Sequence, residues 1–270
     1  MTETIFITGA STGLGRATAL LFAAKGWKVI ATMRTPEKAT ELAKVAGITL
    51  LKLDVTKPDE IKAVAQQALA PGPVDVLFNN AGYGLSGAFE GASDAQLVNE
   101  IDTNLLGVLR VTQAFLPALR ERKRGAIITT TSIGGLVAFP FNSVYHATKW
   151  GLEGWSESLA YELAPFGIRV RTIAPGGIST DFAGRSLVVT PHPAYMEALG
   201  KVIAAFTDPK RRASHSTPEQ IAEIVWQAAN DATDRVTFVA GEDAKATYAR
   251  RLGVGIEAFR QGVRQMFLGH

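Results

Sequence analysis

The sequence predicts an α/β fold, a doubly wound parallel sheet of about seven strands with helices on both faces. Short apolar runs alternate with longer amphipathic ones from the first residues onward. The short runs are apolar almost without interruption, as strands buried on both faces are, rather than alternating in and out. Each is followed by a turn or polar signal, and right-handed crossovers between parallel strands then give the doubly wound arrangement.

Taken in order, the strands fall at Thr4–Thr8, Lys28–Thr32, Thr49–Leu53, Val74–Asn79, Ala126–Thr131 and Arg169–Ile173, with a seventh at Val236–Val239. Helical patterns lie between them at about 15–25, 36–46, 58–70, 94–121 and 143–163; in the first, Ala17, Leu20, Leu21 and Ala24 share one face. The rhythm changes after Gly176. Residues 178–216 mix Gly, Pro and His with scattered apolar side chains around one short helix near Tyr195–Phe206, and such an insertion is expected to be a substrate loop rather than a linker. Thr217-Pro218-Glu219 then supplies an N-cap, a first-turn proline and an early acid, opening a helix to about Asn230. A helical segment over about 242–268, clearest at Lys245–Phe267, closes the chain. No repeat or second domain is visible, so residues 1–270 are expected to form a single domain.

Composition narrows the classes. Hydrophobic residues at 47% and charged residues at 20% provide for a sizeable core. The net charge of +3 suits an anionic cofactor, and the one basic cluster, Arg120–Arg124, is interrupted by Glu121, so no nucleic-acid partner is expected. The chain has no cysteine, which removes disulfides, thiolate zinc sites and a cysteine nucleophile together. Met1–Thr4 lacks a basic leader, and the most apolar stretch, Ala126 to Phe141, is too broken to span a bilayer, so neither a membrane partner nor a destination outside the cytoplasm is expected. The four histidines lack His-Glu-x-x-His spacing, and no metal is expected. A Gly-x-Ser-x-Gly elbow and a Gly-x-x-x-x-Gly-Lys-[Ser/Thr] loop are both absent from the sequence, which removes the α/β-hydrolase and ATPase readings.

The first strand runs into Thr8-Gly9-Ala10-Ser11-Thr12-Gly13-Leu14-Gly15, and a helix follows at once. Glycine there lets backbone N–H groups approach a pyrophosphate, and the helix N-terminus adds partial positive charge. Gly9, Gly13 and Gly15 have Gly-x-x-x-Gly-x-Gly spacing, distinct from Gly-x-Gly-x-x-Gly. Near the end of the second strand a carboxylate would bind the ribose 2′-hydroxyl of NAD, but the stretch Ala31-Thr32-Met33-Arg34 offers a guanidinium instead. Arg34 can pair with a 2′-phosphate, so NADP(H) is expected in preference to NAD(H).

Tyr145 and Lys149 are four residues apart in the 143–163 helix, which puts phenol and ammonium on one face about 6 Å apart along the axis. A neighbouring cation favours phenolate, and is expected to bring the phenol toward neutrality as an acid/base. Ser132 lies just past the fifth strand, where side chains face the ligand crevice and a hydroxyl can hold a carbonyl oxygen. His146 faces away from that side of the helix and reads as structural.

With those residues in hand, the chain resembles the compact branch of the short-chain dehydrogenase/reductase family along nearly its whole length. The matching blocks are Thr8–Gly15, Asp54-Val55, Asn79-Asn80-Ala81-Gly82, Asn104, Ser132, Tyr145/Lys149 and Pro175-Gly176. The resemblance implies a Rossmann-type fold and a nicotinamide-dependent oxidoreductase moving hydride between the cofactor and a ketone or secondary alcohol, in the manner of carbonyl-reducing and hydroxysteroid-oxidising members. It implies Tyr145 as acid/base, Lys149 as ribose ligand and tuner of Tyr145, Ser132 as carbonyl anchor, and Asn104 as holder of a relay water. Asp54 and Val55 would border the adenine; Asn80, Ala81 and Gly82 would line the cleft; Ile178 and Thr180, after Pro175-Gly176, would hold the carboxamide. Arg34 matches the position of a basic residue in NADP-preferring members, while Thr12 replaces their second basic contact. Members are dimers or tetramers through the helices near 94–121 and 143–163, so a homodimer or homotetramer is expected, with Gly151, Gly154 and Ala160 permitting close approach. A cofactor-binding sensor or scaffold without turnover is the alternative; it would keep the glycine loop and lose the acid/base set, whereas all four positions here hold competent residues. Leu85, Val137, Phe139, Phe141, Leu187, Val188, Tyr195 and Met196 flank the expected substrate position, which favours a bulky apolar substrate or, equally, packing of the loop.

Overall fold

The computed structural model describes residues 2–179 and 186–269. Nine strands occur among them: β1 (Thr4–Ile7), β2 (Lys28–Met33), β3 (Ile48–Lys52), β4 (Val76–Asn79), β5 (Gly84–Gly87), β6 (Gly125–Thr130), β7 (Ile168–Pro175), β8 (Leu187–Thr190) and β9 (Thr237–Ala240). Seven form one sheet in the order β3-β2-β1-β4-β6-β7-β9, and every neighbouring pair is parallel. The order reverses between β1 and β4, where the chain returns from the β3 edge and builds outward the other way. Ligands of open α/β sheets bind at such a switch, beyond the carboxyl ends of the strands.

The helices are α1 (Gly13–Ala24), α2 (Thr40–Ala43), α3 (Pro58–Leu69), α4 (Asp94–Ile101), α5 (Gly107–Arg122), α6 (Ser143–Leu163), α7 (Met196–Thr207), α8 (Pro209–Arg212), α9 (Pro218–Asn230), α10 (Glu242–Val254) and α11 (Ile256–Leu268). Side chains alternate across each strand, and the sheet thereby feeds two cores. Ile5, Ile7, Val76, Phe78 and Ile128 face α1 and α9, where Phe22, Trp27 and Trp226 meet edge to face. Phe6, Ile30, Leu77 and Ile127 face α3, α5 and α6, with Phe6 against Phe115 at 4.6 Å. Among the described residues no helix is long and apolar enough to cross a membrane.

Four segments depart from the sequence expectation. The 36–46 helix is a 3₁₀ turn at Pro36–Lys38 followed by the single turn α2. The 94–121 helix is interrupted by a π-turn at Asp102–Leu106, a local widening that a 3.6-residue period does not register. The C-terminal segment breaks at Gly255, whose φ of +79° ends α10 in a conformation that favours glycine. A second sheet, β5 with β8, pairs Leu85 with Val188. Its β5 partner, Gly-Leu-Ser-Gly, carries almost no strand signal, because Gly87 is needed where a Cβ would fall 2.3 Å from the Thr190 carbonyl oxygen. By contrast, Thr217 and Gln220 form the N-terminal capping box of α9 where the sequence placed it.

Candidate active site

The glycine block folds into a turn that only glycine fits at two points. Gly9 has φ +68°, and a Cβ there would sit 2.7 Å from Ala81 Cα. A Cβ on Gly15 would fall 2.3 Å from the Gly9 carbonyl oxygen and 2.5 Å from Asn80 Nδ2. The α1 N-terminus then opens into the switch crevice. Thr12 precedes it in extended conformation without a side-chain cap, and its first turn holds no acid, so the leading N–H groups are free for an anion. Ser11 is exposed on this turn; Leu14 is buried, which leaves only its backbone for a ligand. Thr8 Oγ1 accepts from the N–H groups of Asn80 and Ala81 at 2.9 and 3.0 Å, and Asn80 Nδ2 donates back to the Gly9 carbonyl at 3.1 Å, which ties β1 to β4 at the crevice.

Around this cradle the other expected cofactor residues arrive from four strand ends. Arg34 is exposed just past β2. Asp54 follows β3; burial pushes its carboxyl up, but hydrogen bonds from Thr56 N and Oγ1 and the charges of Arg34 and Lys57 outweigh this and hold it low. Val55 is buried, and its carbonyl oxygen lies 3.0 Å from where a Cβ on Gly107 would be. Gly82 is open toward the centre of the site, its Cβ position 3.0 Å from Asn104 Oδ1 and 3.8 Å from Lys149 Nζ. Pro175 closes β7; Gly176 donates to the Ala240 carbonyl, and a Cβ there would strike the Asp243 carboxylate at 2.3 Å. Ile178 bridges to Ser216 and packs on the core, whereas Thr180 lies outside the described residues. Open N–H groups, a tight glycine turn and an exposed guanidinium fit an anionic dinucleotide.

Ser132, Tyr145, Lys149 and Asn104 converge at the carboxyl ends of β4 and β6. Ser132 Oγ accepts from Gly134 N–H at 2.9 Å, and its hydroxyl favours the Tyr145 phenolate. Lys149 is buried, donates to the Thr130 carbonyl at 2.9 Å, and sits 5.7 Å from the centre of the Tyr145 ring. Asn104 occupies the π-turn with its amide committed: Nδ2 donates to the Tyr83 carbonyl at 2.7 Å and to Glu100 Oε1 at 3.0 Å, and Oδ1 accepts from Tyr83 N–H at 2.9 Å.

One electrostatic expectation is corrected. Tyr145 is not drawn toward neutrality but pushed up to about 12, because burial disfavours phenolate and the Glu100 charge repels it, against the help of the Ser132 hydrogen bond. The shift falls instead on Lys149, pulled down to about 8 by burial despite the attraction of Glu100 and Glu153. Desolvation governs both groups, and the Lys149 charge, 5.7 Å from the centre of the Tyr145 ring, does not offset it.

Three supporting residues were missed or undervalued in the sequence. His146 contacts the Gly134 carbonyl through Nδ1 at 2.6 Å and accepts from Phe139 N–H through Nε2 at 2.9 Å, clasping the loop that carries Ser132; its structural assignment stands. Glu153, one turn past Lys149, accepts from the hydroxyls of Thr131, Thr172 and Thr237, pinning α6 to β6, β7 and β9. Glu100 is wholly buried beneath Asn104. Its i, i+4 relation to Asn104 was the available signal. Of the apolar residues expected at the substrate, Val137 and Leu85 are packed away, and Phe139 joins Phe206 and Phe267 around Arg211; Phe141 meets Tyr195 edge to face, while Val188 and Met196 are exposed.

Comparison with known proteins is consistent with this geometry. Residues 3–187 match the model of a family described as short chain dehydrogenase. The oxidoreductase BOA17 of Botryotinia fuckeliana is 36% identical over 99% of both chains. The 3-ketodihydrosphingosine reductase of Bacteroides thetaiotaomicron is 38% identical over 67% of this chain and 65% of its own. Among solved structures, a short-chain dehydrogenase from Streptomyces avermitilis superposes with a TM-score of 0.85 at 33% identity, over 98% of this chain and 95% of that one. ElxO with NADP bound superposes with a TM-score of 0.74 at 26% identity, over 88% and 95%.

Proposed function

The chain belongs to the short-chain dehydrogenase family, and on that premise we propose that it interconverts a bulky apolar ketone and its secondary alcohol with NADP(H) in preference to NAD(H). The observation that supports this most is the meeting of Tyr145, Ser132 and Lys149 at the same end of the sheet as the uncapped N-terminus of α1. Arg34 supports the NADP preference, as does the NADP bound by ElxO. Phe141, Tyr195, Val188 and Met196 at the rim, and the sphingoid ketone named for one relative, support an apolar substrate.

When bound, the nicotinamide supplies or accepts the hydride. The chain's own residues handle the oxygen and its proton. Tyr145, neutral at physiological pH, gives its hydroxyl proton to the substrate oxygen during reduction. Ser132, whose Oγ accepts from Gly134 N–H, turns its one hydrogen from Tyr145 to the substrate oxygen and steadies the developing alkoxide. Lys149 holds the proton that restores Tyr145, and its lowered affinity makes that transfer easier. Asn104, its amide committed to Tyr83 and Glu100, fixes the far end of the path; a relay water would rest on the remaining lone pair of Oδ1 or a carbonyl freed by the π-turn. We read the whole chain as one catalytic unit whose part from 186 to 216 and C-terminal helices shape the substrate side. It assembles as a homodimer or homotetramer through α5 and α6, where Leu106, Leu109, Leu116, Trp155 and Leu159 line a surface groove and nothing lies within 4 Å of a Cβ built on Gly154.

A panel of carbonyl compounds followed by NADPH absorbance tests the reading. Tyr145→Phe is expected to lower turnover about 10²–10⁴-fold while NADPH still binds. Binding with no turnover of any carbonyl by the unmodified protein would favour a sensor.

A further inference from the structure

Glu100 is a buried acid that the mechanism above does not use. It lies in the last turn of α4 with no exposed surface, in a core position where charged side chains are seldom found unless paired. Its Oε1 accepts from Asn104 Nδ2 at 3.0 Å, and its Oε2 is buried without a hydrogen-bond partner of ordinary geometry. The groups that act on it are Lys149 and Tyr145 from α6, the Tyr83 hydroxyl just before β5 and the Leu85 N–H within β5. The acid of the π-turn, Asp102, is engaged by Arg110 instead. Tyr83 is half-buried, and its hydroxyl meets Asn99 at the surface at 2.9 Å. Polar groups thus run from Asn104 through Glu100 to Tyr83 and solvent, and the Lys149 charge acts on Glu100 from beyond ion-pair distance.

We propose that Glu100 is a positioning residue for proton return, a carboxyl that holds Asn104 on the π-turn and exchanges a proton with the Lys149 ammonium. The proposal rests on the acid/base reading of Tyr145 and Lys149. In reduction the Tyr145 proton goes to the substrate oxygen, and the phenolate takes one from Lys149, leaving a neutral amine. Glu100 as the carboxylic acid returns a proton to that amine through an intervening water and becomes carboxylate. The carboxylate regains its proton from solvent along Tyr83. Burial, which raises Glu100 to about 7 against the pull of Lys149, puts both of its states within reach in the working range.

Glu100→Gln retains a side chain that can bond Asn104 but cannot titrate or carry charge. Glu100 in its charged form favours the Lys149 ammonium, so removing it lowers the Lys149 pKa. The alkaline limb of the kcat–pH profile for reduction is therefore expected to move to lower pH by about one unit or more, with NADPH affinity unchanged. Infrared titration of the unmodified protein without cofactor should show a protonated-carboxyl stretch disappearing near neutrality, absent from Glu100→Gln. Superimposable pH profiles differing only in height, or no such band, would overturn the proposal. If Glu100→Gln does not fold, the infrared titration of the unmodified protein and the displacement of that band in Glu100→Asp decide the matter. A band that titrates in a protein without carbonyl turnover would sink the oxidoreductase reading, and the relay with it. Tyr145-dependent turnover with an unmoved profile would sink the relay alone.

Discussion

Replacing Gly15 with alanine sets two opposed effects against each other. Gly15 is helical, and on intrinsic propensity alone alanine there would stabilise α1 by about 1 kcal/mol. The added Cβ, however, would lie 2.3 Å from the Gly9 carbonyl oxygen, a backbone atom, and 2.5 Å from Asn80 Nδ2, which is itself bonded to that oxygen. Neither partner is the free end of a flexible side chain, so the β1–α1 turn must move. Overpacking of this kind costs about 1–3 kcal/mol, which exceeds the propensity gain. Gly15→Ala should therefore lower the thermal midpoint by a few degrees, at about 2–4 °C per kcal/mol for a chain approaching this size. Because the displaced turn is the proposed phosphate cradle, NADPH affinity by fluorescence titration should fall about tenfold or more. Gly200→Ala is the control: Gly200 is exposed within α7 with nothing within 4 Å of its Cβ position, and it should leave the midpoint unchanged or raise it. A Gly15→Ala protein that melts no lower than the unmodified one and binds NADPH equally would refute the close-approach account.

Arg34→Ala should weaken NADPH about tenfold, the lower end for a charge-assisted contact at an exposed site, and leave NADH unaffected; equal losses for both would show that Arg34 does not read the 2′-phosphate. Lys149 falls from 10.5 to about 8 on burial, so its charged form disfavours the fold at low pH, and that penalty is relieved as pH rises from about 8 through 10.5. Lys149→Met, inactive, should then be more stable than the unmodified protein at pH 7 by up to about 3 kcal/mol, the gap closing toward pH 10.5 in denaturant titrations; a gap independent of pH would contradict this. Leu106→Glu on the α5–α6 face should convert the assembly to monomers by light scattering, and a monomeric unmodified protein would remove the interface.

Much of the fold was legible because its signals are local. Six apolar runs and Val236–Val239 became the seven strands of the main sheet, with ends displaced by a residue or two, and Thr217-Pro218 opened α9 through its own capping chemistry. What escaped depends on contacts between distant segments. β5 is a strand only because β8 lies beside it, and the π-turn at Asp102–Leu106 and the halt at Gly255 interrupt helical patterns that continue through them. The chemistry followed the same division. The glycine turn and the Tyr145/Lys149 pair were readable because each is a short local spacing, and Ser132 because it follows a strand end. The charge states were not. Spacing specifies which groups are neighbours, whereas the cost of charging Tyr145, Lys149 and Glu100 depends on how completely several elements exclude water from them, and that burial exists only after the chain has closed around the site.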